Sequence, residues 1–145
     1  MSQVPDALRE RVRQRARARC EYCLVPEAYV SLHEADHIIA VQHRGPTSFE
    51  NLALACFDCN RRKGPNISSV DAGTGQVVDL FHPRRQNWIE HFHLDGTRIV
   101  GLTQTGRATA ALLEFNTPQR VRVRAELQRA GRYPVNDEAV TARKD

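Results

Sequence analysis

Four cysteines stand in two Cys-x-x-Cys pairs, Cys20/Cys23 and Cys56/Cys59, and the chain has no others. This pattern constrains the fold more than anything else in the sequence. No apolar stretch follows Met1-Ser2-Gln3, so the start does not read as a secretory signal. No apolar run approaches the ~18 residues of a membrane span. The expectation is a cytoplasmic protein with reduced thiols, in which a disulfide framework is disfavoured. The two pairs then read as four thiolates around one structural Zn²⁺, each tight turn bringing two sulfurs within ~2.3 Å of the metal. A redox reading would use one pair and leave the other idle. The interval between the pairs exceeds what a plain zinc ribbon needs, so something else is built inside the clip.

With 41% apolar residues, one Trp, three Tyr and five Phe, the core is modest. Bound metal would then supply part of the folding free energy. Lys and Arg outnumber Asp and Glu by 21 to 17, and the pI is about 9.2, which suits a polyanionic partner without requiring one. The basic residues are unevenly spread. On a helix over residues 5–19, Arg9/Arg13/Arg17 and Arg11/Arg15/Arg19 form two rows beside an apolar row of Leu8, Val12 and Ala16. Such a helix is either a solvated face or a phosphate-contacting one. Arg61, Arg62 and Lys63, just beyond Cys59-Asn60, favour the second, with Arg15 and Arg19 as the helix's candidate contacts.

Along the chain, residues 29–40 read as a hairpin strand carrying Asp36-His37, and 42–48 as a loop by Gly45-Pro46. Ser48 is placed to cap a short helix over 49–55, and a further short helix over 59–63 stops at Gly64-Pro65. Residues 71–75 read as a turn and 76–81 as a strand. Segments 88–94 and 97–102 flank Asp95-Gly96, a hairpin signal. A helix over 106–113 precedes one over 118–130, with Thr117 as N-cap, Pro118 in the first turn and Gly131 beyond the end. Residues 134–145 lack apolar periodicity and read as a disordered tail.

Inside the clip lie Glu34-Ala35-Asp36-His37-Ile38-Ile39, then Phe49-Glu50-Asn51-Leu52, then Cys56-Phe57-Asp58-Cys59-Asn60-Arg61-Arg62-Lys63-Gly64. Over residues 20–64 this resembles the HNH nuclease family, with Asn60 where the family name has its final His. The resemblance implies an α+β fold: a small ββα-metal, treble-clef-like core with a structural zinc. An Arg-rich helix (1–19) precedes it, and an extension (65–133) with a β-hairpin and two helices packs on it. It also implies a metal-dependent endonuclease cutting DNA, as a monomer that nicks or a homodimer that cuts both strands. His37 would be the general base, Asp36 and Asn60 would hold Mg²⁺ or Mn²⁺, and Asn51 would brace the loop and orient His37.

The chemistry is consistent with those residue types. An imidazole with pKa near ~6.5 suits a base at neutral pH, and oxygen ligands suit a hard cation with open positions. Neighbouring strand residues point to opposite faces, so for Asp36 and His37 to reach one phosphate the backbone must depart from ideal strand geometry or the phosphate must lie across the strand end. Plainer readings exist: Asn60 or Asn51 as caps, and His33, Glu34 and His43 as bystanders near the site. His82, His91 and His93 show no partner pattern and read as surface residues. The rival function is a noncatalytic zinc-containing module that binds nucleic acid, and a zinc-stabilised protein-interaction domain is the third.

Overall fold

The computed structural model describes residues 4–27 and 32–134. The chain opens on α1 (Asp6–Arg15), entered through Pro5 and carrying Asp6 in its first turn. Val12 and Ala16 are buried, with Leu8 packed beside them. The expected helix to residue 19 ends early. Arg17 and Ala18 both take left-handed backbone, at φ 56° each. Arg17 N–H donates to Gln14 O and Ala18 N–H to Arg13 O. This is a Schellman-type stop without glycine. It turns the chain so that Arg19 bridges Pro26 and Cys20 enters the clip, and it takes Arg19 off the Arg11/Arg15 row.

The second correction concerns residues 49–55. Only Phe49–Asn51 is helical, as a single 3-10 turn, and Ser48 makes no side-chain cap. Leu52–Ala55 is a strand, β2, antiparallel to β1 (Glu34–His37), with His37 opposite Leu52 and Asp36 opposite Ala53. Strand alternation sorts its side chains between two cores. Leu52 and Leu54 pack with Val12 and Ala16 of α1, while Ala53 and Ala55 face the cysteines. All four residues are buried. Leu and Ala favour helix intrinsically, and burial on both faces overrides that preference here.

Next comes α2 (Phe57–Lys63), whose N-cap is Cys56, its Sγ accepting from Cys59 N–H, and whose stop is Gly64 at φ 52°. Together β1, β2 and α2 form the expected ββα unit. Beyond it, among the described residues, lie two more hairpins and a one-turn helix. The hairpin β3 (Ser68–Asp71) and β4 (Gln76–Asp79) includes a strand that the sequence did not suggest. A one-turn helix, α3 (Trp88–His91), stands where strand was expected. It leads into β5 (Phe92–Asp95) and β6 (Arg98–Gly101), joined at Gly96 with φ 63° as the Asp-Gly signal required. Two helices close the fold. In α4 (Gln104–Leu112) the Thr103 side chain accepts from Gly106 N–H, and in α5 (Pro118–Arg129) the Thr117 side chain accepts from Arg120 N–H.

The strands form three separate two-stranded sheets among the described residues. The cysteines share one core with Trp88, Phe92, Phe115 and Tyr133 of the extension. Two hydrogen bonds pin that contact: Trp88 Nε1–H to Tyr22 O at 2.9 Å and Tyr133 O–H to Cys23 O at 3.0 Å. No helix among the described residues is long and apolar enough to cross a membrane. The start of the expected 29–40 segment and the expected tail beyond Pro134 lie outside the described residues.

Candidate functional site

The four thiols are buried and their sulfurs all lie within 4.8 Å of one another. Each pair turns tightly on its first sulfur. Cys20 Sγ accepts from the N–H groups of Tyr22 and Cys23, and Cys56 Sγ from that of Cys59, all at 3.4 Å. Burial pushes the Cys20 and Cys59 thiols well up from their ordinary values. Against this stands Arg120 of α5, whose Nη2 donates to Cys59 Sγ at 3.0 Å and lies 3.8 Å from Cys56 Sγ. Burial opposes its charge, yet the sulfurs hold the guanidinium protonated, far above the usual arginine value.

Beside the clip, β1 ends on Asp36 and His37. Their side chains diverge as strand alternation requires. The His37 ring Nε2 meets Thr47 Oγ1 at 2.8 Å, in the loop that follows the hairpin strand. Asp36 turns inward, where Lys63 Nζ lies 3.2 Å from its Oδ2. That ammonium also donates to His37 O at 3.1 Å, and with the Tyr22 hydroxyl it is a polar neighbour of the buried Asp36 carboxylate. Burial raises the Asp36 carboxyl to about 6, with Lys63 opposing. Burial lowers the His37 imidazole, as does the Lys63 charge, which keeps it neutral and proton-accepting near pH 7.

Asn51 braces the loop through its side chain. Its Oδ1 accepts from Ile39 N–H at 3.0 Å, and its Nδ2 donates to Ile39 O at 3.0 Å and Pro46 O at 2.8 Å. Its contact next to His37 is through the backbone, Ile38 N–H donating to Asn51 O. The loop closes so tightly that a Cβ on Gly45 would overlap the Ile39 carbonyl oxygen. Asn60 lies inside α2 and so is not its cap. It precedes Lys63 by one helical turn, on the same face, and its side-chain amide makes no hydrogen bond among the described residues.

The expected nucleic-acid contacts divide. Lys63 is 2% exposed and belongs to the site's interior, not to a phosphate surface. Arg62 braces α2 through Asp58 at 2.8 Å and Glu114 at 3.4 Å. Arg15 lies over the Phe49 ring and donates to the Phe49 and Leu52 carbonyls, so it holds α1 to the hairpin. The side chains of these three residues are engaged with partners inside the fold. Arg61 is exposed beside the Phe57 ring, and Arg19 is half-buried.

The bystanders separate as well. His33 is buried against Val25 O, Glu34 pairs with Arg9, and His43 is exposed. His93 is exposed, whereas His82 and His91 are partly buried, and His91 ends α3. Sequence reasoning missed the interior role of Lys63 and the whole role of Arg120. The run Arg61-Arg62-Lys63 pointed at the first only as charge, and nothing in the sequence points at the second.

The hairpin whose first strand ends in Asp36-His37 is followed by a helix that carries Asn60, and four clustered thiols lie beside them. Residues 20–66 match the HNH endonuclease family. No curated protein and no solved structure matches the chain.

Proposed function

We propose that this protein is a metal-dependent endonuclease that hydrolyses DNA phosphodiester bonds. The observation that carries the reading is the family match over residues 20–66 together with the meeting of Asp36, His37 and Lys63 at one strand end. The thiols fit zinc. Four sulfurs at ~2.3 Å around a tetrahedral ion stand about 3.8 Å apart, and Cys23 and Cys56 Sγ are 3.7 Å apart. The buried Asp36 carboxylate and the unpartnered Asn60 amide are the oxygen donors a hard cation such as Mg²⁺ or Mn²⁺ would take. Such a cation, when bound, would neutralise charge on the reacting phosphate.

The chain's own contribution is positional. Neutral His37 takes a proton from the attacking water through a ring nitrogen. Lys63 fixes the His37 carbonyl, and Asn51 with Gly45 holds the loop that presents Thr47. One chain offers one such site, so a nick is the product, and double-strand cleavage needs two copies or two events.

The test is plasmid nicking with and without Mg²⁺, beside His37→Ala. Metal-dependent nicking that disappears in the variant, with zinc content unchanged, supports the reading. Equal cleavage by both proteins removes His37 from it. The rival, a noncatalytic zinc-containing nucleic-acid-binding module, is favoured by one feature: the Lys63 ammonium already stands beside Asp36. It predicts DNA binding without nicking under any divalent ion.

A further inference from the structure

A cavity of about 280 Å³ opens beside the catalytic strand end, between the ββα unit and the extension. Ile38 and Ile39, which directly follow His37, form part of its wall, and Lys63 is shared between the cavity and the Asp36–His37 pair. The rest comes from residues 66–86, which neither the family match nor the proposed mechanism uses except at Asn66. The cavity is mixed in character. Ile67, Leu80 and Phe81 supply apolar surface, and Asn66, Gln86, Asp79 and Arg85 supply polar groups.

The unspent hydrogen-bonding capacity of those groups is specific. Asn66 uses its Nδ2 on Lys63 O at 3.0 Å, which leaves its Oδ1 as a free acceptor. Gln86 uses its Oε1 on His82 N–H at 2.8 Å, which leaves its NH₂ as a free donor. Arg85 is exposed and has no ion pair among the described residues. His82, on the same wall, is kept neutral: burial lowers its imidazole to about 4, and the charges of Arg85, Arg84 and Lys63 add to this. Arg85 and Lys63 supply positive charge and Asp79 a negative one, and apolar side chains lie next to one free donor and one free acceptor.

We propose that this cavity receives one unstacked nucleotide of the strand being cut, its base against Ile38, Ile39 and Ile67, its edge on Asn66 and Gln86, and its phosphate at Arg85. The inference rests on the nuclease reading for the position of the scissile phosphate. An unstacked base offers an apolar face and a polar edge that a helical duplex hides. A neutral amide pair reads that edge, and a free arginine takes the adjoining phosphate. The extension then has a purpose: it grips the strand next to the cut and gives a base preference at one fixed position.

The experiment uses the full chain with zinc bound and its isoleucine methyl groups labelled for NMR. Deoxynucleoside 5′-monophosphates are titrated in turn, with inorganic phosphate as the control. Ile38, Ile39 and Ile67 methyls should shift saturably with nucleotide and not with phosphate. Arg85→Ala, at an exposed position, should weaken the effect about tenfold, and Ile67→Trp, which fills the mouth, should abolish it. No shift at millimolar nucleotide, equal shifts with phosphate, or unchanged affinity in both variants would overturn the proposal. Plasmid nicking on the same preparations separates the two readings. Nicking without nucleotide binding sinks the cavity assignment alone, and nucleotide binding without nicking sinks the nuclease reading alone.

Discussion

Replacing Lys63 by Met should destabilise the protein in a strongly pH-dependent way. The Lys63 side chain is 2% exposed and that of Asp36 9%, at 3.2 Å. Removing one member of a buried ion pair costs about 3–5 kcal/mol, because the other charge is left desolvated. Asp36 can escape that cost by taking a proton. Its carboxyl is at about 6 even with Lys63 present, mainly through burial. A carboxyl raised in the folded state favours folding most below its unfolded value of ~3.9, and that contribution is lost as pH rises through about 6. Without Lys63 the carboxyl moves higher still. At pH 5 Asp36 is largely protonated in both proteins, so the variant loses little beyond the hydrogen bond to His37 O, about 1–2 kcal/mol. At pH 8 the full penalty of about 3–5 kcal/mol applies. Urea unfolding at both pH values, with zinc bound and no other divalent ion, measures the difference. Lys63→Met/Asp36→Asn should recover most of the loss at pH 8. An equal loss at pH 5 and pH 8, or a double variant no better than the single, would refute the reasoning.

Gly45→Ala should cost about 1–3 kcal/mol by overpacking and should suppress nicking, since the added Cβ meets the Ile39 carbonyl that Asn51 holds. Thermal unfolding and the plasmid assay check the two halves separately. Arg120→Ala should weaken zinc retention by about 10–100-fold, as the loss of groups that orient metal ligands typically does. Transfer of zinc to a colorimetric chelator reads this out, and Arg120→Lys should recover only part of it. His82 sits below its unfolded value, so it stabilises the fold above pH ~6.5 and that contribution is lost as pH falls toward about 4. It is half-exposed, so the effect is about 1 kcal/mol after screening. His82→Gln should flatten the fall in urea midpoint between pH 7 and pH 4.5.

What the sequence revealed and what it hid have physical reasons. The cysteine spacing, Asp95-Gly96 and Thr117-Pro118 are local signals whose geometry depends on a few adjacent residues, and each appears where it was expected. Leu52–Ala55 was misread because Leu-Ala-Leu-Ala prefers helix until two different cores claim its alternate side chains. The end of α1 was misread because Arg17 and Ala18 enter left-handed backbone without the glycine that usually marks it. Lys63 was taken for a surface charge because a run of basic residues does not show which of them turns inward. At the candidate site the sequence named residues but not their contacts. That the Asn51 side chain bonds Ile39 and Pro46, and meets the segment after His37 only through its backbone carbonyl, needed coordinates.

The short helix α2 shows why the metal clip and the Asp36–His37 end belong to one device. Seven residues are too few for a helix to hold its own orientation. Its N-terminus is set by Cys56 and Cys59, its flank by Arg62 on Asp58 and Glu114, and its C-terminus by Lys63 on Asp36 and the His37 carbonyl. Asn60 lies between these anchors, so its position relative to Asp36 depends on both. Arg120 extends the dependence to α5, because it binds the Cys59 sulfur while its Nη1 donates to Leu113 O at 2.6 Å. Loss of zinc should therefore reach Asp36 and His37 through α2 before the rest of the extension loosens. In hydrogen exchange under mild chelation, the amides of α2 and the β1–β2 ladder should lose protection ahead of those of β5 and β6. Simultaneous loss across all four would show that the clip holds the whole fold rather than the site in particular.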